Sequence, residues 1–156
     1  MIALKLEASD IGFLIHKAVS GMEPLAMAKA VSIKTEIPQD LPKINIDGER
    51  VLQVLRNLIG NAVKFTPGGG SIMISALPTE KGVRVSVADT GPGIPKGDLN
   101  AIFDKFQQAT MTSYNKIKGT GLGLAIVKHI INAHGGKVWV ESEIGHGSIF
   151  AFVLPA

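Results

Sequence analysis

The sequence predicts an α/β domain, on three observations. Apolar residues recur at helical spacing over residues 10–29 and 47–64, and again after Gly123. Between and after them lie short segments with strand patterning, at 31–37, 71–77, 83–89, 137–141 and 148–154. Finally, 46% of the residues are hydrophobic and the mean hydropathy is +0.27, which argues for a packed core and against disorder. At 156 residues the chain suits one domain with a single sizeable core.

Composition narrows the functional classes. The net charge of +3 comes mostly from lysines scattered among acids, without the aromatic interleaving of a single-strand binder, so no nucleic-acid partner is expected. The chain has no cysteine, hence no disulfide framework or thiolate metal site, in keeping with a cytoplasmic protein. No apolar run approaches the roughly 18 residues of a membrane span, and no secretory leader opens the chain. Met1-Ile2 starts abruptly before a helical pattern, as a piece of something longer would. Residues 1–9 read as the end of a linker from an upstream segment, and 10–156 as the domain.

In the first helix, Ile11, Leu14, Ile15, Ala18, Val19, Met22, Leu25 and Ala26 form an amphipathic stripe, with Asp10 as N-cap. Gly21 and Pro24 are expected to kink or break it. The strand at 31–37 ends at Pro38-Gln39-Asp40. Asp47 caps a second helix that runs to about Lys64, where Pro67-Gly68-Gly69-Gly70 closes it. On its polar side Arg50, Gln53, Asn57, Asn61 and Lys64 fall within an arc of roughly 80°. Asparagine costs about 0.5–0.7 kcal/mol of helix propensity relative to alanine, so two on one stripe suggest a use. A carboxamide oxygen can ligate Mg²⁺, and Lys64 can reach a phosphate. A plain solvated face is the competing reading.

The strand 83–89 alternates. Val83, Val85 and Val87 share a face, and period two puts the Asp89 carboxylate on that same apolar side. Carboxylates seldom point inward unless paired or meeting a ligand. The glycine loop Thr90-Gly91-Pro92-Gly93-Ile94 follows, where a flat ligand can lie against backbone and an exocyclic amino group can reach Asp89. An Asp that merely turns the chain is the alternative. Residues 90–118 carry little regular pattern beyond short helical pieces around 99–106, and such a stretch inside a compact domain is usually a lid. Gly119-Thr120-Gly121-Leu122-Gly123-Leu124 then opens a helix to about His134. Its glycines and the helix N-terminus suit a phosphate cradle, and a flexible glycine turn before an ordinary helix is the competing reading. It is not a dinucleotide fingerprint, because Leu124 stands where the third glycine is needed. Ser148 lies in phase with Phe150, Phe152 and Leu154, so its hydroxyl faces the core, beside Asp89 if the two strands share a sheet.

Taken together these stretches resemble the catalytic, ATP-binding domain of sensor histidine kinases, in the superfamily that includes gyrase, the ninety-kilodalton heat-shock chaperones and the mismatch-repair ATPases. Asn57-Leu58-Ile59-Gly60-Asn61-Ala62-Val63-Lys64-Phe65 is similar to the N box, Asp89-Thr90-Gly91-Pro92-Gly93-Ile94 to the first glycine box, Phe103-Asp104-Lys105-Phe106 to the F box, residues 119–124 to the second glycine box and Gly147-Ser148-Ile149-Phe150 to the terminal motif. The resemblance implies a Bergerat-type two-layer sandwich, with helices on one face of a mixed, mostly antiparallel sheet. It implies Mg²⁺ on Asn61, the adenine amino group on Asp89, and phosphate contacts from Lys64 and Lys105, with Lys116 and Lys118 as further candidates. Asn57, Gly91, Gly93, Ile94, Phe103, Phe106, residues 119–124 and Ser148 complete the implied ATP site, and residues 95–118 the ATP lid.

The family's phosphoacceptor is a histidine followed by an acid, and none of His16, His129, His134 or His146 fits. The resemblance therefore implies an acceptor histidine on a separate dimerisation domain, a homodimeric parent and a response regulator downstream. Where the ATP-hydrolysing and serine-phosphorylating cousins carry Glu, this chain has Asn57, which cannot serve as a base. That favours transfer to histidine over an anti-sigma-type serine/threonine kinase; a non-catalytic nucleotide sensor is the other alternative.

Overall fold

The computed structural model describes residues 3–99, 102–103 and 122–156. Strand β1 (Glu7–Ser9) leads into helix α1 (Ile11–Ala28), followed by β2 (Ser32–Glu36), β3 (Ile44–Ile46) and helix α2 (Gly48–Phe65). Strands β4 (Ser71–Pro78) and β5 (Gly82–Asp89) form a hairpin; helix α3 (Leu122–Ala133), β6 (Lys137–Ser142) and β7 (Ser148–Pro155) complete the chain. The main sheet has five strands in the order β2-β4-β5-β7-β6. Within it β2 and β4 pair in parallel, and the other neighbours are antiparallel.

Alternation decides which side the helices cover. Ile72, Ile74 and Ala76 of β4, Val83, Val85 and Val87 of β5, and Phe150, Phe152 and Leu154 of β7 are all buried on one face. Against them lie Ile11, Ile15 and Ala18 of α1, Val51, Leu55, Leu58 and Ile59 of α2, and Val127, Ile130 and Ile131 of α3. The expected two-layer sandwich is therefore present. Fully burying one such side chain is worth roughly 1.5–3 kcal/mol, and this layer is what holds the helices in place.

Helix α1 starts where Asp10 accepts a hydrogen bond from the Phe13 N–H at 3.2 Å. It is not broken at Gly21 or Pro24. Pro24 removes one donor, but both Pro24 and Ser20, whose carbonyl loses its partner, are exposed, so water can serve that carbonyl. Ile15, Ala18 and Ala26 meanwhile keep the helix packed. Its end then caps its neighbour: Lys29 Nζ donates to the Val63 carbonyl at 2.8 Å and to the Lys64 carbonyl, placing a cation at the negative end of α2.

The N-terminal end of α2 is a junction. Asp47 caps the helix by accepting from the Arg50 N–H at 3.2 Å, and its other oxygen accepts from the Lys5 N–H at 3.1 Å. The Asp47 N–H donates to His134 Nε2 at 3.1 Å, while His134 Nδ1 lies 2.9 Å from the Ile130 carbonyl. Since Nε2 is an acceptor here, Nδ1 carries the proton. Residues 7–9, read from sequence as the end of a linker, pair with β3 in a short antiparallel ribbon. Neither three-residue strand is long enough to show a period. Among the described residues no helix is long and apolar enough to cross a membrane.

Candidate nucleotide site

The site is built where β5 ends. Register places Asp89 opposite Ser148, and Ser148 opposite Ser142, so three polar residues form one row across β5, β7 and β6. The next row inward is Val87, Phe150 and Val140, all apolar. Asp89 therefore does point to the core side, as its phase in the strand requires. Its Oδ1 accepts from the Gly91 N–H at 2.8 Å. Burial raises the Asp89 carboxyl above the ordinary range, and the Gly91 and Ser148 backbone N–H groups only partly offset this.

Above the row, helix α2 brings Asn61, which is 7% exposed. A small cleft lies between Asn61, Ala62 and Phe65 of α2 and Asp89, Pro92, Gly93, Ser148 and Phe150. The space it encloses is about 10 Å³, room for roughly one water, so a planar base must spread it to enter. A far larger open hollow of about 1070 Å³ lies along β1, α1 and the start of α2, lined by Phe13, Lys17, Asp47 and Arg56 among others. None of the expected site residues lines that hollow. The small cleft is the candidate site, because among the described residues only there does an inward carboxylate face an apolar wall and a buried carboxamide.

The loop after β5 is held by backbone. Gly93 has φ +81°, and a Cβ there would lie 2.2 Å from the Glu143 carbonyl oxygen. Gly147, at φ +77°, passes the Asp89 carbonyl so closely that a Cβ would sit 2.0 Å from its oxygen. Only glycine meets both demands. The Gly145 N–H donates to the Pro92 carbonyl at 2.8 Å, and the Ile94 N–H to Ser142 Oγ at 2.8 Å. Ile94 is fully buried, and Phe103 meets Phe150 edge-to-face with centroids 6.0 Å apart, joining the F box to the pocket wall.

The other expected residues divide. Lys64 is exposed one turn beyond Asn61 and does not line the cleft. Asn57 is also outside it: its Nδ2 faces the Gly123 carbonyl at 3.4 Å, a long contact that ties α2 to the first turn of α3. Gly123 and the buried Leu124 open α3 as expected, and Leu122 is its first residue. Lys105, Phe106, Lys116, Lys118, Gly119, Thr120 and Gly121 lie outside the described residues, as does most of the 95–118 stretch. Sequence reasoning missed Ser142. Its only signal was strand phase, which puts it on the same face as Val138 and Val140.

Mg²⁺ can be tested against this donor set. No group of three or more His, Asp or Glu side chains capable of holding a metal occurs among the described residues. One buried carboxamide residue, Asn61, at the edge of the cleft suits an ion that keeps waters and takes substrate phosphates as ligands. The residues thus fit Mg²⁺ arriving with a phosphate chain, and do not fit a resident metal cage.

Residues 46–156 match the family described as histidine kinase-, DNA gyrase B-, and HSP90-like ATPase, and the chain belongs to that family. It is 40% identical over 143 residues to the adaptive-response sensory kinase SasA of Synechococcus sp. (strain JA-2-3B'a(2-13)), covering 91% of this chain and 37% of that protein. The chain spans about two fifths of the length of the curated relatives it matches. Among solved structures it superposes on the catalytic domain of histidine kinase ThkA, nucleotide free, with a TM-score of 0.84 and 31% identity, covering 97% of this chain and 96% of that one. ThkA has also been solved in complex with response regulator protein TrrA (TM-score 0.81, 31% identity, 97% and 42% covered). Full-length ShkA in complex with AMPPNP gives a TM-score of 0.86 at 39% identity, covering 99% of this chain and 32% of that one.

Proposed function

We propose that this chain is the catalytic domain of a sensor histidine kinase, binding Mg²⁺-ATP and transferring its γ-phosphoryl to a histidine on another segment of the parent protein. The observation that carries the reading is the inward Asp89, paired in register with Ser148 and facing the buried Asn61 across the cleft. Asp89 accepts the adenine amino group, and Phe65 and Phe150 supply apolar surface around the base, while the buried Ile94 anchors the loop beside it. The N-terminus of α3 with its glycine box takes the phosphates, with Lys64, Lys105, Lys116 and Lys118 as the cations that neutralise them. Asn61 would hold Mg²⁺, which when bound offsets charge on the β- and γ-phosphates.

The acceptor is chosen by what is missing at position 57. Asn57 offers an amide, and its nitrogen faces the Gly123 carbonyl, so no side chain there can take a proton from water or serine. A neutral imidazole needs no such help, since it is already a nucleophile near pH 7. The ring nitrogen forms a P–N bond as the bond to the β,γ-bridging oxygen breaks, and ADP leaves. What remains for the chain is orientation and charge neutralisation. We further propose a homodimeric parent acting in the cytoplasm, and transfer onward to a response regulator; for the last of these the complex of ThkA with response regulator TrrA is the support.

The test is transfer in trans. Alone with Mg²⁺-ATP, the chain should not label itself. Mixed with a helical segment of its own parent carrying a His-Glu acceptor, it should label that histidine, slowly, because cutting the chain forfeits the effective concentration of tethering. The label should be acid-labile and base-stable. Acid-stable label on serine or threonine would move the chain to the anti-sigma class, and nucleotide binding without any transfer would leave it a sensor.

A further inference from the structure

Ser142 has three polar neighbours and one hydroxyl proton. Its Oγ accepts from the Ile94 N–H at 2.8 Å, donates to the Gly147 carbonyl at 2.8 Å, and lies 2.8 Å from Ser148 Oγ. A carbonyl can only accept, so the Ser142 proton goes to Gly147. The bond between the two serines then needs the Ser148 proton. This is the one arrangement that forms all three bonds, and it fixes the direction of the Ser148 hydroxyl. Ser148 is left with lone pairs and no free proton on the side facing the cleft.

We infer that Ser142 is a positioning residue for base recognition: it holds Ser148 as a pure acceptor beside Asp89 and pins the loop residue Ile94, so that the cleft rejects a purine carrying a carbonyl where adenine carries its amino group. The inference rests on the ATP reading above, and adds to it a side chain that touches no ligand. The geometry gives the mechanism. Asp89 and Ser148 stand opposite one another in register, so two acceptors meet whatever enters at that point. An amino group satisfies them, whereas a carbonyl oxygen meets lone pairs on both. Removing the Ser142 hydroxyl frees the Ser148 proton to turn toward the cleft, where it can donate to that carbonyl. It also leaves the Ile94 N–H without its acceptor, loosening the loop that forms the pocket floor.

Calorimetry with ATP and inosine triphosphate, which differ at that position and in the proton that hypoxanthine carries on the neighbouring N1, reads both effects; the N1 difference is common to every variant and cancels when their preferences are compared. The wild-type chain should prefer ATP. Ser142→Ala should lower the ATP-over-ITP preference by about tenfold, the scale of one such hydrogen bond lost or reversed. Ser142→Thr and Ser142→Val share a shape and differ only in the hydroxyl, so they separate recognition from packing whether or not the alanine variant folds. The added methyl can change absolute affinity in both, so the ratio of the two nucleotides is what is compared. Ser142→Thr should keep the preference and Ser142→Val should lose it. Equal preference in the threonine and valine variants overturns the inference. A wild-type chain that binds neither nucleotide overturns instead the ATP reading on which it stands.

Discussion

Asp89 shows how a residue proposed to bind the base can work against the fold that carries it. Its carboxyl is raised by burial, so the folded state disfavours the charged form more than the unfolded chain does. At a pH where the group is ionised in both states, the folded state bears the difference. That cost is relieved as pH falls through the folded value, and is gone below the unfolded value of about 3.9. Asp89→Asn should therefore melt higher than wild type at pH 7, with the gain shrinking as the pH is lowered past that range. If Asp89 holds the adenine amino group as proposed, the same substitution should weaken ATP binding by roughly tenfold to a hundredfold, because an amide replaces one of the acceptor oxygens. Thermal melts across pH, with calorimetry on the same variant, check both signs. A variant less stable at pH 7, or an ATP affinity left unchanged, would contradict this account.

At the scale of elements, the junction at the start of α2 ties together three parts of the chain. Burial pushes the Asp47 carboxyl up, but the Lys5 and Arg50 backbone N–H groups and the Arg50 guanidinium more than offset it, so it lies below the ordinary range. A lowered folded value means stability that is present above the unfolded value and lost as pH falls through the folded one. Asp47→Ala should cost about 1–2 kcal/mol as a lost cap, or about 2–4 °C in Tm for each kcal/mol in a domain of this size. The difference from wild type, read from melts at neutral and acid pH, should narrow in acid. The cap itself was legible in the sequence, as were helices α1, α2 and α3, the strands of the main sheet and the inward phase of Asp89, because each has a period or a cap of its own. The β1/β3 ribbon was not, since three residues carry no period. Nor were the His134 and Lys5 contacts to Asp47, or the Ser142 hub, because those depend on which strands and helix ends become neighbours. The continuity of α1 through Pro24 was misjudged for a related reason: propensity does not record that the orphaned carbonyl is exposed.

For the whole molecule, the cleft lies between the two layers, with Asn61 contributed by the helical layer and Asp89 and Ser148 by the sheet. A ligand that bridges them binds only the folded state, so it stabilises by RT ln(1 + [L]/Kd), about 2.7 kcal/mol at one hundred times Kd. For a domain of this size that raises Tm by roughly 5–11 °C. The metal's share can be isolated within each protein by comparing ATP plus Mg²⁺ with ATP plus EDTA. In wild type the shift should be larger with Mg²⁺, because in the proposed site the ion would be held by Asn61 together with the phosphates. Asn61→Ala will also change the melting of the protein itself, since Asn61 is buried. Comparing the two ligand conditions within that one variant cancels the change. There the shifts with and without Mg²⁺ should coincide, while a shift due to the base persists through Asp89. A Mg²⁺-dependent increment of wild-type size in Asn61→Ala would remove Asn61 from the metal's shell and leave the ion held by phosphate and water alone.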